Sequence, residues 1–73
     1  MKTYLTIWFN SEGAAPSEVV QRLRAMGFEP MQGYYDHVYD WKKKVTIDDI
    51  LQLSDAVHQT LKGLNVTYKL ETI

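Results

Sequence analysis

Residues 2 to 9 alternate with a period of two, setting Leu5, Ile7 and Phe9 on one side and Tyr4, Thr6 and Trp8 on the other. Such alternation among β-branched and aromatic residues predicts a strand. Asn10 to Ala15 breaks the pattern, and Pro16 suits the first turn of a helix because its missing N–H would have no intrahelical partner there. Val19, Val20, Leu23 and Met26 follow at i, i+1, i+4 and i+7, with Glu18, Gln21, Arg22 and Arg24 on the other arc. Gly27 stands where a helix-ending glycine belongs.

Phe28 to Gln32 reads as a short second strand, and Pro30, which cannot donate to a ladder, puts it at a sheet edge. Gly33 supplies a turn. Tyr35, His37, Tyr39 and Trp41 then alternate with Asp36, Val38, Asp40 and Lys42 in a third strand. Thr46 and Asp49 have capping-box spacing, and Asp48 adds negative charge where the helix dipole favours it. Helical spacing gathers Ile47, Ile50, Leu51, Val57 and Leu61 in one arc, and Gly63 stops the second helix. Leu64, Val66, Tyr68 and Leu70 alternate with Asn65, Thr67, Lys69 and Glu71 in a last strand.

The order is β-α-β-β-α-β, with no repeat or linker, which predicts one α+β domain spanning residues 1–73. Right-handed crossovers in both β-α-β units favour the ferredoxin-like plait, a four-stranded antiparallel sheet of order 4-1-3-2 with both helices on one face. Its inner face would carry Leu5, Ile7 and Phe9 with Tyr35, Tyr39 and Trp41, and with Leu64, Val66, Tyr68 and Leu70. The open outer face would carry Lys2, Tyr4, Thr6 and Trp8, with Trp8 toward Asp36 and Lys2 or Tyr4 toward Asp40. Aromatic residues ringed by charge have the composition of an interface core and rim. Tyr4, Thr6, Trp8 and Val38 are therefore the candidate interface residues, and a homodimer is the expected assembly.

Charge narrows the partners. Eight Lys and Arg stand against nine Asp and Glu, a formal net charge of −1, which removes the long-range attraction to phosphate of a nonspecific nucleic-acid binder. Stacking of RNA bases on Tyr4 and Trp8 is opposed by Asp36 and Asp40 on the neighbouring strand, and the Lys42-Lys43-Lys44 run is read as solvated charge. With no cysteine there is neither a disulfide framework nor a thiolate nucleophile. No apolar run approaches the ~20 residues of a membrane span, and Met1-Lys2 leads into a strand instead of a signal-peptide core. A cytoplasmic location without membrane association is expected.

Little catalytic chemistry is legible. Ser54, His58, His37 and a tyrosine could meet between the second helix and the sheet, either as an acid–base or Ser–His site or, the reading preferred, as a hydrogen-bonded network that satisfies buried polar atoms. Alternation sends His37 and the acids Asp36 and Asp40 to opposite faces, against a shared metal site. The loop from Asn10 to Gly13 precedes a helix N-terminus, as every β-α loop does. Asn65-Val66-Thr67 matches a glycosylation triplet but falls in a strand. No catalytic residue, metal ligand or cofactor is assigned.

Gly33-Tyr34-Tyr35-Asp36 resembles a turn in stand-alone effector-binding (RAM) domains, the kind found at the C-terminus of Lrp/AsnC transcription regulators. There a Gly-x-Tyr-Asp turn leads into an apolar third strand, a helix and a final strand with a Thr-rich end. The similarity runs from Phe28 to Ile73 and takes in Gly63 and Glu71-Thr72-Ile73. It implies dimerisation through the sheet, an amino-acid-like ligand near the turn and a role in transcription regulation, with Gly33 and Asp36 as the ligand-associated positions. The chain departs from that family in its shorter second strand and in His37, where an aliphatic residue is usual. Gly27-Phe28-Glu29 followed by Gln32-Gly33 is similar to a segment of VapD-like and CRISPR-associated small endoribonucleases, which implies the enzymatic alternative, metal-dependent RNA cleavage. Those enzymes need an acid at the end of the first strand. Asn10 and Ser11 occupy that stretch here, with Glu12 the nearest acid.

Overall fold

A computed structural model describes all 73 residues. Strand β1 (Lys2–Trp8) leads to helix α1 (Pro16–Ala25), strands β2 (Glu29–Pro30) and β3 (His37–Asp40), helix α2 (Ile47–Leu61) and strand β4 (Thr67–Thr72). The four strands form one antiparallel sheet of order β2-β3-β1-β4, the expected succession of neighbours counted from the opposite edge. β2 is an edge strand, and Pro30 sits in it opposite His37. Its missing N–H therefore leaves no gap inside the sheet.

The alternation of β1 holds. Thr3, Leu5 and Ile7 are buried while Lys2 and Trp8 are exposed. Leu5 and Ile7 join Val19 and Leu23 of α1, Val57 and Leu61 of α2, and Phe28 and Leu64 in one apolar core. Both helices thus cover the same side of the sheet, and the even-numbered residues of β1 face outward. Burying each such side chain stabilises the fold by about 1.5–3 kcal/mol. The one buried hydroxyl among these inward positions is satisfied: Thr3 Oγ1 accepts from Trp41 Nε1 at 2.7 Å and lies 2.8 Å from Thr72 Oγ1.

Both helices stop and start on local chemistry. At the end of α1, Gly27 N–H reaches Arg24 O and Phe28 N–H reaches Leu23 O, a Schellman arrangement with the apolar Phe28 tucked into the core. Gly27 has φ +105°, and a Cβ there would lie 2.9 Å from the Tyr39 ring, so two independent constraints select glycine. At the start of α2, Asp49 N–H donates to Thr46 Oγ1 and Thr46 N–H donates to Asp49 Oδ2, both at 3.1 Å. Those bonds hold the Asp49 carboxyl below its ordinary pKa, the Thr46 backbone N–H being the larger cause.

Several expectations are corrected. β3 is four residues long instead of running from Tyr35 to Lys42, because Met31 to Asp36 form a turn closed by Met31 N–H to Asp36 O at 2.9 Å. Tyr35, released from strand alternation, lies on the outer side against Tyr4 and not in the inner layer. The β1–β3 register ends at Leu5–His37, so Asp36 lies before the ladder, bonded to Leu5 O and Ile7 N–H and not set toward Trp8, whereas Lys2 does face Asp40. Phe9 lies beyond the end of β1 and is 43% exposed. β4 begins at Thr67; the buried Leu64 belongs to the turn after α2, its N–H bonded to Leu61 O. On α2, Val57 and Leu61 are buried as expected, but Ile47 and Leu51 are 76% and 55% exposed, since the helix turns Leu53 toward the core in their place.

Candidate functional site

The outer face is a grid read from the strand pairings. Tyr4 lies between Val38 and Glu71, Thr6 neighbours Lys69, and Trp8 neighbours Thr67. Of the candidate interface residues, Tyr4, Thr6 and Val38 are half-buried and Trp8 is 52% exposed. Sequence alternation brings these four to one face. It does not reveal the aromatic cluster built on Tyr4.

That cluster comes from the turn. Tyr35 stacks on Tyr4 with ring centroids 4.5 Å apart, and Tyr34 meets Tyr35 edge to face at 5.2 Å. Tyr35 is fixed at its far end as well, its hydroxyl donating to Glu71 Oε2 at 2.6 Å. This bond is the largest cause of the Tyr35 phenol being pushed up to about 12. Glu71 in turn receives Lys69 Nζ at 2.7 Å. Its carboxyl is held below the ordinary range first by Lys69 and then by Tyr35, and the Lys69 ammonium is raised by the same contact.

Next to the stack is an open depression of about 550 Å³, within the size range of small-molecule sites. Tyr4, Tyr34, Tyr35, Met31 and Ile73 form its walls together with Met1, and Lys2 has the one charged side chain lining it. Gly33 and Asp36, the positions marked by the RAM-like turn, are not among its lining residues. They act from behind. Gly33 has φ +118° in the turn, and Asp36 fastens that turn to β1. Asp36 N–H donates to Leu5 O at 3.0 Å, and Ile7 N–H donates to Asp36 Oδ2 at 2.8 Å. The carboxylate thus satisfies a backbone donor that the short β3 leaves without a ladder partner.

The inner polar residues do not assemble into a site. Ser54 Oγ donates to Ile50 O within its own helix at 2.9 Å. His58 is exposed and lines a separate hollow of about 270 Å³ with Leu61, Lys62, Asn65 and Tyr68. His37 is buried, and neither ring nitrogen has a hydrogen-bond partner. Burial lowers its pKa, with Arg24 adding to the effect and Asp36 opposing it. In the loop after β1, Glu12 N–H donates to Asn10 Oδ1 and Gly13 N–H to Asn10 O, so these donors are already engaged. No group of three or more His, Asp or Glu side chains is arranged to hold a metal ion. No helix is long and apolar enough to cross a membrane.

No protein family, curated relative or solved structure matches this chain.

Proposed function

We propose that the chain is a non-catalytic interaction domain of the ferredoxin-like plait type, which self-associates as a homodimer through the outer face of its sheet and holds a small molecule beside the Gly33–Asp36 turn. The observation that carries this reading is that Tyr4, Val38 and the half-exposed Trp8 share the outer face, with Tyr35 stacked on Tyr4 and Tyr34 against Tyr35. Aromatic and apolar residues rimmed by charge in this way fit an interface core. A second copy is the proposed occupant. A two-fold axis along the strands would set the β3 flank of one copy over the β4 flank of the other, with Trp8 against Trp8. The RAM-like turn at Gly33-Tyr34-Tyr35-Asp36 supports both parts of the reading.

Sedimentation equilibrium tests it. The wild type should show a concentration-dependent mass rising to that of a dimer, and Trp8→Glu should abolish the rise. Leu51→Glu, which removes an equally exposed apolar residue from the helical side, should leave it intact. A wild type that stays monomeric throughout, or dissociation caused by Leu51→Glu and not by Trp8→Glu, would refute self-association through this face.

A further inference from the structure

We infer that the depression between Tyr34, Tyr35, Tyr4 and Ile73 binds a planar aromatic carboxylate, its ring against the tyrosines and its carboxylate on Lys2. The inference deepens the reading of the outer face as a binding surface, and it does not require self-association. Three observations converge on it.

The Tyr4–Tyr35 wall is preformed. Tyr35 is held between the Tyr4 ring and the Glu71 carboxylate. The turn that carries Tyr34 and Tyr35 is tied to β1 by both hydrogen bonds of Asp36 and closed by Met31 N–H. A ligand stacking on this wall does not have to order Tyr35, so less of that contact energy is lost to freezing it. Aromatic and methionine surfaces suit a flat π-system.

The charge has one sign available. Lys2 lines the depression and makes no ion pair with any side chain, since the three pairs in the molecule are Arg22–Glu18, Lys43–Asp49 and Lys69–Glu71. Asp40, its cross-strand neighbour, accepts instead from Lys42 N–H at 3.2 Å. The nearest other acid, Glu71, is already engaged by Lys69 and Tyr35. An ammonium without an ion pair, lining a depression that no acidic side chain lines, favours an anion over a cation.

The depression and Trp8 lie at opposite ends of β1. Tyr4 and Trp8 are four residues apart, about 13 Å at the rise of a strand, so ligand binding and association through Trp8 are separable.

The test uses indole-3-acetate as the probe, with neutral indole and cationic tryptamine as comparisons, followed by titration calorimetry and by chemical-shift mapping of the full chain. Indole-3-acetate should bind most tightly and shift Tyr34, Tyr35 and Ile73. Lys2→Met should weaken it roughly tenfold, the loss of one charge-assisted contact, while leaving indole unchanged. Tyr34→Ala, at a position 89% exposed and so harmless to the fold, should weaken both. Binding that survives in Trp8→Glu confirms the site whatever the state of association. The inference is overturned if tryptamine binds as tightly as indole-3-acetate, if Lys2→Met has no effect, or if the shifts map away from the turn in both wild type and Trp8→Glu.

Discussion

Tyr35 lies flat on Tyr4, ring planes 23° from parallel, on the side of the sheet away from both helices. In sequence, Tyr35 shares parity with His37 and Tyr39, which point inward. The two-residue period fails between Tyr35 and His37 because the backbone there is still in a turn, and parity carries information only along a continuous ladder.

The Tyr35–Glu71 bond makes the phenol a reporter of the outer face. Ultraviolet titration should find one tyrosine ionising near 12, and Glu71→Gln should bring it down toward 10. The folded pKa is the higher one, so the stabilisation it contributes is complete below pH 10 and is lost as pH rises from about 10 to about 12. Glu71→Gln should flatten that alkaline limb of the stability curve. An unchanged limb would show that the bond does not form in solution.

Asp36 separates a structural role from a ligand role. Asp36→Ala leaves the Ile7 N–H without its acceptor and should cost about 1–3 kcal/mol in thermal or urea unfolding. Asp36→Asn keeps an acceptor oxygen in reach and should cost less than half as much. Equal losses for the two would mean that the charge, and not the hydrogen bond, holds the turn.

His37 predicts acid sensitivity. Its folded pKa is depressed below 6.5 by burial. The unfolded chain therefore takes up a proton that the native state resists, and stability falls as pH drops below about 6.5. His37→Leu removes two buried nitrogens without partners and should raise stability at neutral pH by about 1–3 kcal/mol. Urea midpoints at pH 7 and pH 5 should then converge for the variant and diverge for the wild type.

Two glycines with positive φ should respond differently to alanine. Gly63, at φ +83°, has open space around the missing Cβ, and Gly63→Ala should cost about 1–2 kcal/mol for the left-handed backbone alone. Gly27→Ala adds a collision with the Tyr39 ring and should cost roughly 3 kcal/mol or more. Calorimetric midpoints rank the two directly.

Much of the architecture was legible because it is written locally. The Thr46–Asp49 box, Pro16 at the start of α1 and the glycine stop at Gly27 are each satisfied by neighbours within a few residues. The phase of β1 was readable because seven residues alternate without interruption. What depends on distant partners was not. The arc on α2 is broad enough to centre on Ile47 and Leu51 or on Leu53 and Val57, and only packing against α1 and the sheet decides for the second. The binding depression was half visible. The turn that carries Tyr34 and Tyr35 stood out in sequence, but Lys2, Met31 and Ile73 reach it from three separate parts of the chain.

The two rims of the sheet are unequal, and this limits how copies can add side by side. β2 offers two residues, one of them a proline, too little backbone for another strand to zip onto. β4 offers six residues along its free margin. Lateral joining therefore has one usable seam per molecule, and a pair of copies meeting there through a two-fold would consume both seams at once. Assembly by that route ends at two, and the blunted rim protects the protein from growing into a ribbon.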